Sequence, residues 1–225
     1  MSFYIYAFLS LPKSSLELPK GMEKEVELIS YQNIAAVAEA NVSTEAIQKT
    51  EEKLIQAVLI HDSVVRKIFQ QVSILPLRFG NSFAVVEDII NHLQNNQQQY
   101  LRIFTQIEQK AEYTVTFTPA SYPSTPEISE VRGKAYLLGK KQHFQQQQAF
   151  QAKQRQQWEN IRQLIPKDYP KAVFKDSTER GIKQVHLLAH RDSEVITTQQ
   201  LQTWQTECPY WQITLSEQLP PYHFV

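Results

Sequence analysis

A single cysteine, Cys208, stands in a chain of 225 residues. One thiol can form neither an internal disulfide nor a thiolate cluster around a metal, and such sparing use of cysteine fits a reducing compartment. Glycine is almost as scarce: Gly21, Gly80, Gly133, Gly139 and Gly181 are all there are. None lies in a phosphate-binding loop or a dinucleotide fingerprint, so nucleotide chemistry of the usual kinds lacks its backbone requirement. Neither sign of charge prevails, with 23 Lys plus Arg against 23 Asp plus Glu. No overall field therefore draws the chain to nucleic acid or an anionic membrane, and any affinity for phosphate must come from a local patch. Long apolar runs are missing too. The opening MSFYIYAFLSLP has no basic n-region and stops at Pro12, which predicts a strand in a soluble, cytoplasmic protein.

What the chain does have is 42% hydrophobic residues, enough for one large or two small packed cores. The stretch His61 to Phe83, HDSVVRKIFQQVSILPLRFGNSF, organises the rest. Val64, Val65, Ile68, Phe69 and Val72 recur at helical spacing, and Ile74, Leu75, Leu77 and Phe79 then crowd into a short buried strand ending at Gly80. Pro76 fixes its own φ and extends Leu75, while Gly80 can take a turn geometry closed to other residues. Arg78 inside that strand needs a carboxylate or carbonyl partner, either as an anion site or as a staple of the fold.

Around this stretch the pattern predicts an α+β protein in two domains. Residues 1–110 form an N-terminal mixed α+β sheet domain. Its first strand, Phe3 to Leu11, is too uniformly apolar for a one-faced strand and is covered on both sides. Val26 to Tyr31 and Ile34 to Val42 read as two more strands, the second alternatively as a short Ala-rich helix. A helix capped by Ser43 or Thr44 runs through Ile47, Leu54, Val58, His61, Val65 and Phe69 as one core stripe, and another spans Val85 to Lys110.

Residues 111–225 form the C-terminal domain. Tyr113, Val115 and Phe117 alternate with threonines in a strand with one buried face. A loop from Pro119 to Glu130 and a long Gln-rich helix from Gly133 to Ile165 follow. Lys171 to Thr178 and Ile182 to His190 make a hairpin about Glu179, Arg180 and Gly181. A short helix opens at Thr197 or Thr198, and Trp211, Ile213 and Leu215 mark the last strand. The order β-α-β-β-α-β is that of a modified ferredoxin-like domain, with two helices over one sheet face. The long helix exceeds what a small sheet covers, so part of it overhangs the domain or frays.

Candidates for chemistry are few. His186 and His190 share a strand face but lie about 13 Å apart, too far to chelate one metal. His61 and Asp62 are adjacent on a helix and diverge. Catalysis would require a pocket joining His61, Asp62 and Arg78. An open ferredoxin-like sheet could instead serve a small-molecule- or RNA-binding regulatory protein, but Tyr113 and Phe117 belong to the face under the helices.

Three stretches together, LPLRFG (Leu75 to Gly80), GKAYLLGKK (Gly133 to Lys141) and LPPYHFV (Leu219 to Val225), with the aromatic strand FYIYAF, resemble the gas vesicle protein F/L family, closest to its cyanobacterial F members. Leu75, Pro76, Leu77, Arg78, Phe79, Gly80, Gly133, Tyr136, Leu137, Pro220, Pro221, Tyr222 and Phe224 match the family pattern, while Gln218 stands where many members have glycine. The resemblance implies a minor structural or accessory protein of gas vesicles, the hollow shells that provide buoyancy, with no catalytic residue, cofactor or metal. It implies partnership with the small hydrophobic major shell protein (gas vesicle protein A), and contact with other gas vesicle accessory proteins, in nucleation or assembly of the shell without aggregation. Phe144, Phe150, Tyr222 and Phe224 are the candidate contacts, and Pro76, Arg78, Phe79 and Gly80 the structural motif. For the tail, Pro220 to Phe224, the other reading is a hydrophobic clasp across the domain boundary.

Overall fold

The computed structural model describes residues 2–12, 14–123, 133–176, 181–191, 196 and 198–225. Among them the order is β1 (Phe3–Ser10), β2 (Glu27–Tyr31), β3 (Ile34–Ala40), α1 (Thr44–Ile47), α2 (Glu51–Gln71), β4 (Ile74–Pro76), β5 (Ser82–Phe83), α3 (Val86–Ile107), β6 (Lys110–Pro119), α4 (Lys134–Asp168), β7 (Val173–Asp176), β8 (Lys183–His190), α5 (Thr198–Glu207) and β9 (Trp211–Leu215). The protein is thus mixed α+β. It divides into two compact units, Met1–Glu112 with Leu188–Asp192 and Gln218–Val225, and Tyr113–Leu187 with Ser193–Glu217.

In the first unit the strands run β2-β3-β1-β4, with β5 also paired to β1. Every residue of β1 from Phe3 to Leu9 is buried, because helices cover both of its faces. Phe3, Ile5 and Phe8 join Ile89, Leu93, Phe104 and Ile107 of α3 in one core. Tyr4 and Tyr6 point the other way, against His61 of α2. The spacing 3, 5, 8 breaks simple alternation because the register slips between Ile5 and Ala7, a bulge that resets the pleat. Ile34–Ala40 is a strand, not an Ala-rich helix, since its small side chains are buried in the middle of the sheet.

Several local expectations need correction. The helix expected from residue 43 or 44 onward is two helices, because Thr50 takes an extended backbone and its hydroxyl accepts from Lys53 N–H, starting α2 afresh. The buried stripe of α2 is Ala57, His61, Val64, Val65, Ile68 and Phe69; Leu54 and Val58 are exposed. β4 ends at Pro76, which has no N–H to continue a ladder, and the chain turns away through Gly80 at φ 101°. Arg78 is consequently exposed on that turn instead of buried within a strand.

In the second unit the strands run β7-β8-β6-β9, with the connection order β-α-β-β-α-β. Trp158 of α4 packs on Phe117 of β6, Phe174 of β7 and Trp211 of β9. The threonine face of β6 is polar as expected, with Thr114 hydrogen-bonded to His186 of β8 at 3.0 Å. At 35 residues, α4 is about 52 Å long. Its core residues Trp158, Ile161 and Ile165 lie in the C-terminal half, and Tyr136, Leu137, Leu138 and Phe144 near the other end are exposed. The expected turn at 179–180 and most of the loop before Gly133 lie outside the described residues.

Candidate functional site

His61, Asp62 and Arg78 do not meet. His61 is buried, its Nε2–H donating to the Leu77 carbonyl at 3.0 Å and its Nδ1 accepting from the Tyr4 hydroxyl at 2.8 Å. The Tyr4 oxygen in turn accepts the Gly80 N–H at 3.1 Å. This chain of bonds fastens both ends of the Leu77 to Gly80 turn to β1 and α2. Burial pushes His61 below the usual histidine range and Tyr4 up to about 12, so both groups are neutral near pH 7. Phe79 edges onto both rings. Asp62 instead pairs with Arg66, one helical turn along. The Pro76 to Gly80 motif is therefore held by an aromatic and histidine network, and the Arg78 side chain has no part in it.

A second buried constellation was not anticipated. Glu39, wholly buried in β3, accepts backbone N–H groups from Met22, Glu23 and Lys24 at 2.8, 2.6 and 2.7 Å, and the Tyr6 hydroxyl at 2.5 Å. The carboxylate is a template around which the Gly21 loop folds, each of its oxygens taking two donors. Burial first, then this hydrogen bond to a carboxylate, raise the Tyr6 phenol far above its ordinary range. One signal was available in the sequence: a lone acid among the alanines of a buried strand.

Arg191 has a role that no local sequence signal marks. Its guanidinium lies 3.7 Å from the Phe69 ring centroid and donates to the carbonyls of Phe69 and Val72 at 2.6 and 3.4 Å. A cation thus caps the C-terminal end of α2, which has no basic residue of its own there. The cap comes from 119 residues away in sequence, so no local pattern could announce it.

The tail is tied within the first unit. Leu219 and Glu112 exchange backbone hydrogen bonds at 2.9 Å, and the buried Glu112 carboxylate accepts from His223 N–H at 2.9 Å and Nδ1 at 2.7 Å. Pro220 and Pro221 are buried, and Tyr222 and Phe224 half-buried. Burial and the nearby Asp62 carboxylate push the Tyr222 phenol up to about 12.

Phe144 and Phe150 part company. Phe144 is 58% exposed. Phe150 is half-buried, stacked on Tyr210 at 4.5 Å and edge-on to Tyr122. Glutamines of the same helix bind loop backbone: Gln154 Nε2 donates to the carbonyls of Ala120 and Tyr210, and Gln157 accepts from Tyr210 N–H. Beside them an open groove of about 440 Å³ is lined by Gln154, Arg155, Trp158, Arg162, Lys183 and Trp211, among others. Mixed charges and two indole rings make it a surface for polar or aromatic contact.

No helix among the described residues is long and apolar enough to cross a membrane. A family model described as gas vesicle synthesis protein GvpL/GvpF matches residues 2–225. No curated protein matches the chain significantly. Among solved structures, the crystal structure of gas vesicle protein GvpF from Microcystis aeruginosa is similar at TM-score 0.69 and 14% identity, covering 99% of this chain and 98% of that one. That of GvpF from Anabaena sp. PCC7120 is similar at TM-score 0.71 and 17% identity, covering 99% and 97%.

Proposed function

The chain belongs to the gas vesicle synthesis protein GvpL/GvpF family, and from that premise we propose that it is a minor structural or accessory protein that binds the major shell protein, gas vesicle protein A, and assists nucleation or assembly of the shell. The same reading places it at the vesicle shell and has it limit aggregation of an apolar subunit. We infer no catalysis: the buried polar groups Tyr4, His61, Tyr6 and Glu39 each hold backbone in place. We read the second unit as ferredoxin-like, its strand order β7-β8-β6-β9 supporting that reading.

The observation that carries the partner proposal is the exposed apolar end of α4, where Leu137, Leu138 and Phe144 present side chains to solvent. A protein that accompanies an apolar, strand-rich subunit needs such a patch or a free strand edge, and β7 and β9 supply edges beside the same helix. Phe144 is the principal contact; Phe150, Tyr222 and Phe224 contribute through their half-exposed rings. Capture of tagged shell protein by wild type and by Phe144→Ser tests this. The substitution reduces capture several-fold while the urea midpoint stays put; undiminished capture removes Phe144 from the contact surface. Phe150→Ser separates the roles, since loss of its stacking on Tyr210 lowers stability as well.

A further inference from the structure

We propose that the protein self-associates head to tail, the exposed N-terminal half of α4 in one copy docking on the exposed face of α2 in the next. On α2, Leu54, Ile55, Val58 and Leu59 form one unbroken apolar strip, with Leu59 65% and Ile55 53% exposed. Positions i, i+1, i+4 and i+5 are neighbours on a helix surface; Leu54 and Val58 continue the line of His61 and Val65 toward the start of the helix, and Ile55 and Leu59 stand to one side of it. Glu51, Glu52 and Asp62 border it, with Lys53 and the Asp62-paired Arg66 as the nearby cations.

α4 carries the complement. Leu137 and Phe144, seven residues apart, share one helix face, Leu137 being 66% exposed. Lys140 and Lys141 flank that face, and Lys134 begins the helix. From Lys134 to Trp158 there is no acidic residue at all, whereas Glu51 to Asp62 holds three acids against one base. Apolar stripes of matching kind bordered by opposite charge fit each other, as heptad-flanking charges do in paired helices. The charges also choose among occupants. Two α2 faces together would set acids against acids, and two α4 ends lysines against lysines, so the symmetric pairings are disfavoured and the unlike pairing remains. Such a heterologous contact leaves one free face at each end and extends to a ring or an open chain. This goes beyond the shell-protein reading and does not depend on it, although both use Phe144.

The test is sedimentation velocity on the purified full chain without shell protein, over a concentration series at low and high salt. Wild type associates with rising concentration, less so at high salt. Ile55→Lys with Leu59→Lys, and separately Leu137→Ser with Phe144→Ser, each weaken association about tenfold or more with unchanged circular dichroism. Mixing the two double variants gives a species that stops at the dimer, since each supplies the one intact face the other lacks. Reversing charge on one face, Glu51→Lys with Glu52→Lys, weakens association, and Lys140→Glu with Lys141→Glu added in the same chain restores it. Wild type that stays monomeric at every concentration overturns the proposal, and so does a mixture that behaves as the sum of its parts. If instead Ile55→Lys with Leu59→Lys abolishes capture of shell protein by a monomeric wild type, the α2 face belongs to that partner and self-docking is wrong. Shell-protein capture by a chain that does not self-associate leaves the proposed function standing.

Discussion

The hydroxyl of Tyr6 donates to Oε2 of Glu39 across 2.5 Å inside the first unit, and the same oxygen receives the N–H of Met22. One acid thus joins two strands and a loop: Tyr6 lies on β1, Glu39 on β3, and the loop runs through Gly21. A Cβ on Gly21 would collide with the Glu39 carboxylate, so glycine is required there for close approach and not for backbone freedom.

Glu39→Ala removes the common acceptor of the buried Tyr6 phenol and of three part-buried backbone N–H groups and destabilises the protein by about 3–5 kcal/mol. Glu39→Gln costs less, since its carbonyl still accepts. Urea denaturation of the two variants checks the ranking; equal and small losses would show that the loop finds other acceptors.

Stability falls as the solution is acidified below the ordinary histidine range. The folded-state pKa of His61 is depressed by burial, so the unfolded chain takes up this proton more readily. The contribution of neutral His61 is complete above about 6.5 and is lost as pH falls toward its folded pKa, at up to about 1.4 kcal/mol per pH unit. Urea midpoints at several pH values read the slope. His61→Gln lowers stability at neutral pH and flattens this dependence; an unchanged slope in that variant would assign it to other groups.

Arg191→Ala removes the guanidinium from the Phe69 ring and from two carbonyls at the end of α2. A loss of about 2–3 kcal/mol is expected, and Arg191→Lys recovers only part of it, because an ammonium cannot stack and fork at once. Thermal unfolding midpoints of the pair provide the measurement; full recovery by lysine would mean that charge alone matters.

Cys208 resists alkylation in the native protein. It is fully buried, its Sγ–H donates to the Trp204 carbonyl at 2.8 Å, and burial pushes the thiol up to about 12, leaving little thiolate. Mass spectrometry after iodoacetamide treatment shows no adduct without denaturant and complete reaction with it. Rapid labelling of folded protein would contradict the burial.

Gln154→Ala costs about 1–2 kcal/mol, whereas Gln145→Ala, at an exposed site on the same helix, changes stability by less than about 0.5 kcal/mol. Denaturant titration of both distinguishes glutamines that bind backbone from those that only face solvent.

Periodicity and chain punctuation made much of this protein legible. The density of apolar residues from Phe3 to Leu9 announced a strand covered on both sides, alternation marked the buried face of β6, and Gly80 marked a turn. Three dispersed motifs point to the family without reference to the fold. Where reading failed, the cause was that a side chain's surroundings are set by chain far away. Leu54 and Val58 fit the helical period yet are 37% and 41% exposed, because the buried stripe of α2 starts only at Ala57 and Val58 stands at its edge. Arg78 sits in an apolar run but faces water, because the strand ends one residue past Leu75.

What the amino-acid order determined by itself was the kind and succession of elements, since dihedral preference and hydrophobic period act over a few neighbouring residues. What only the tertiary structure decided was which polar groups would be buried together, Glu39 with the Gly21 loop, His61 with Tyr4 and Leu77, Arg191 with Phe69, and which apolar groups would be left outside. Burial depends on what packs on top, and the covering pieces come from residues about fifteen to more than a hundred positions apart, a distance over which no local pattern carries information.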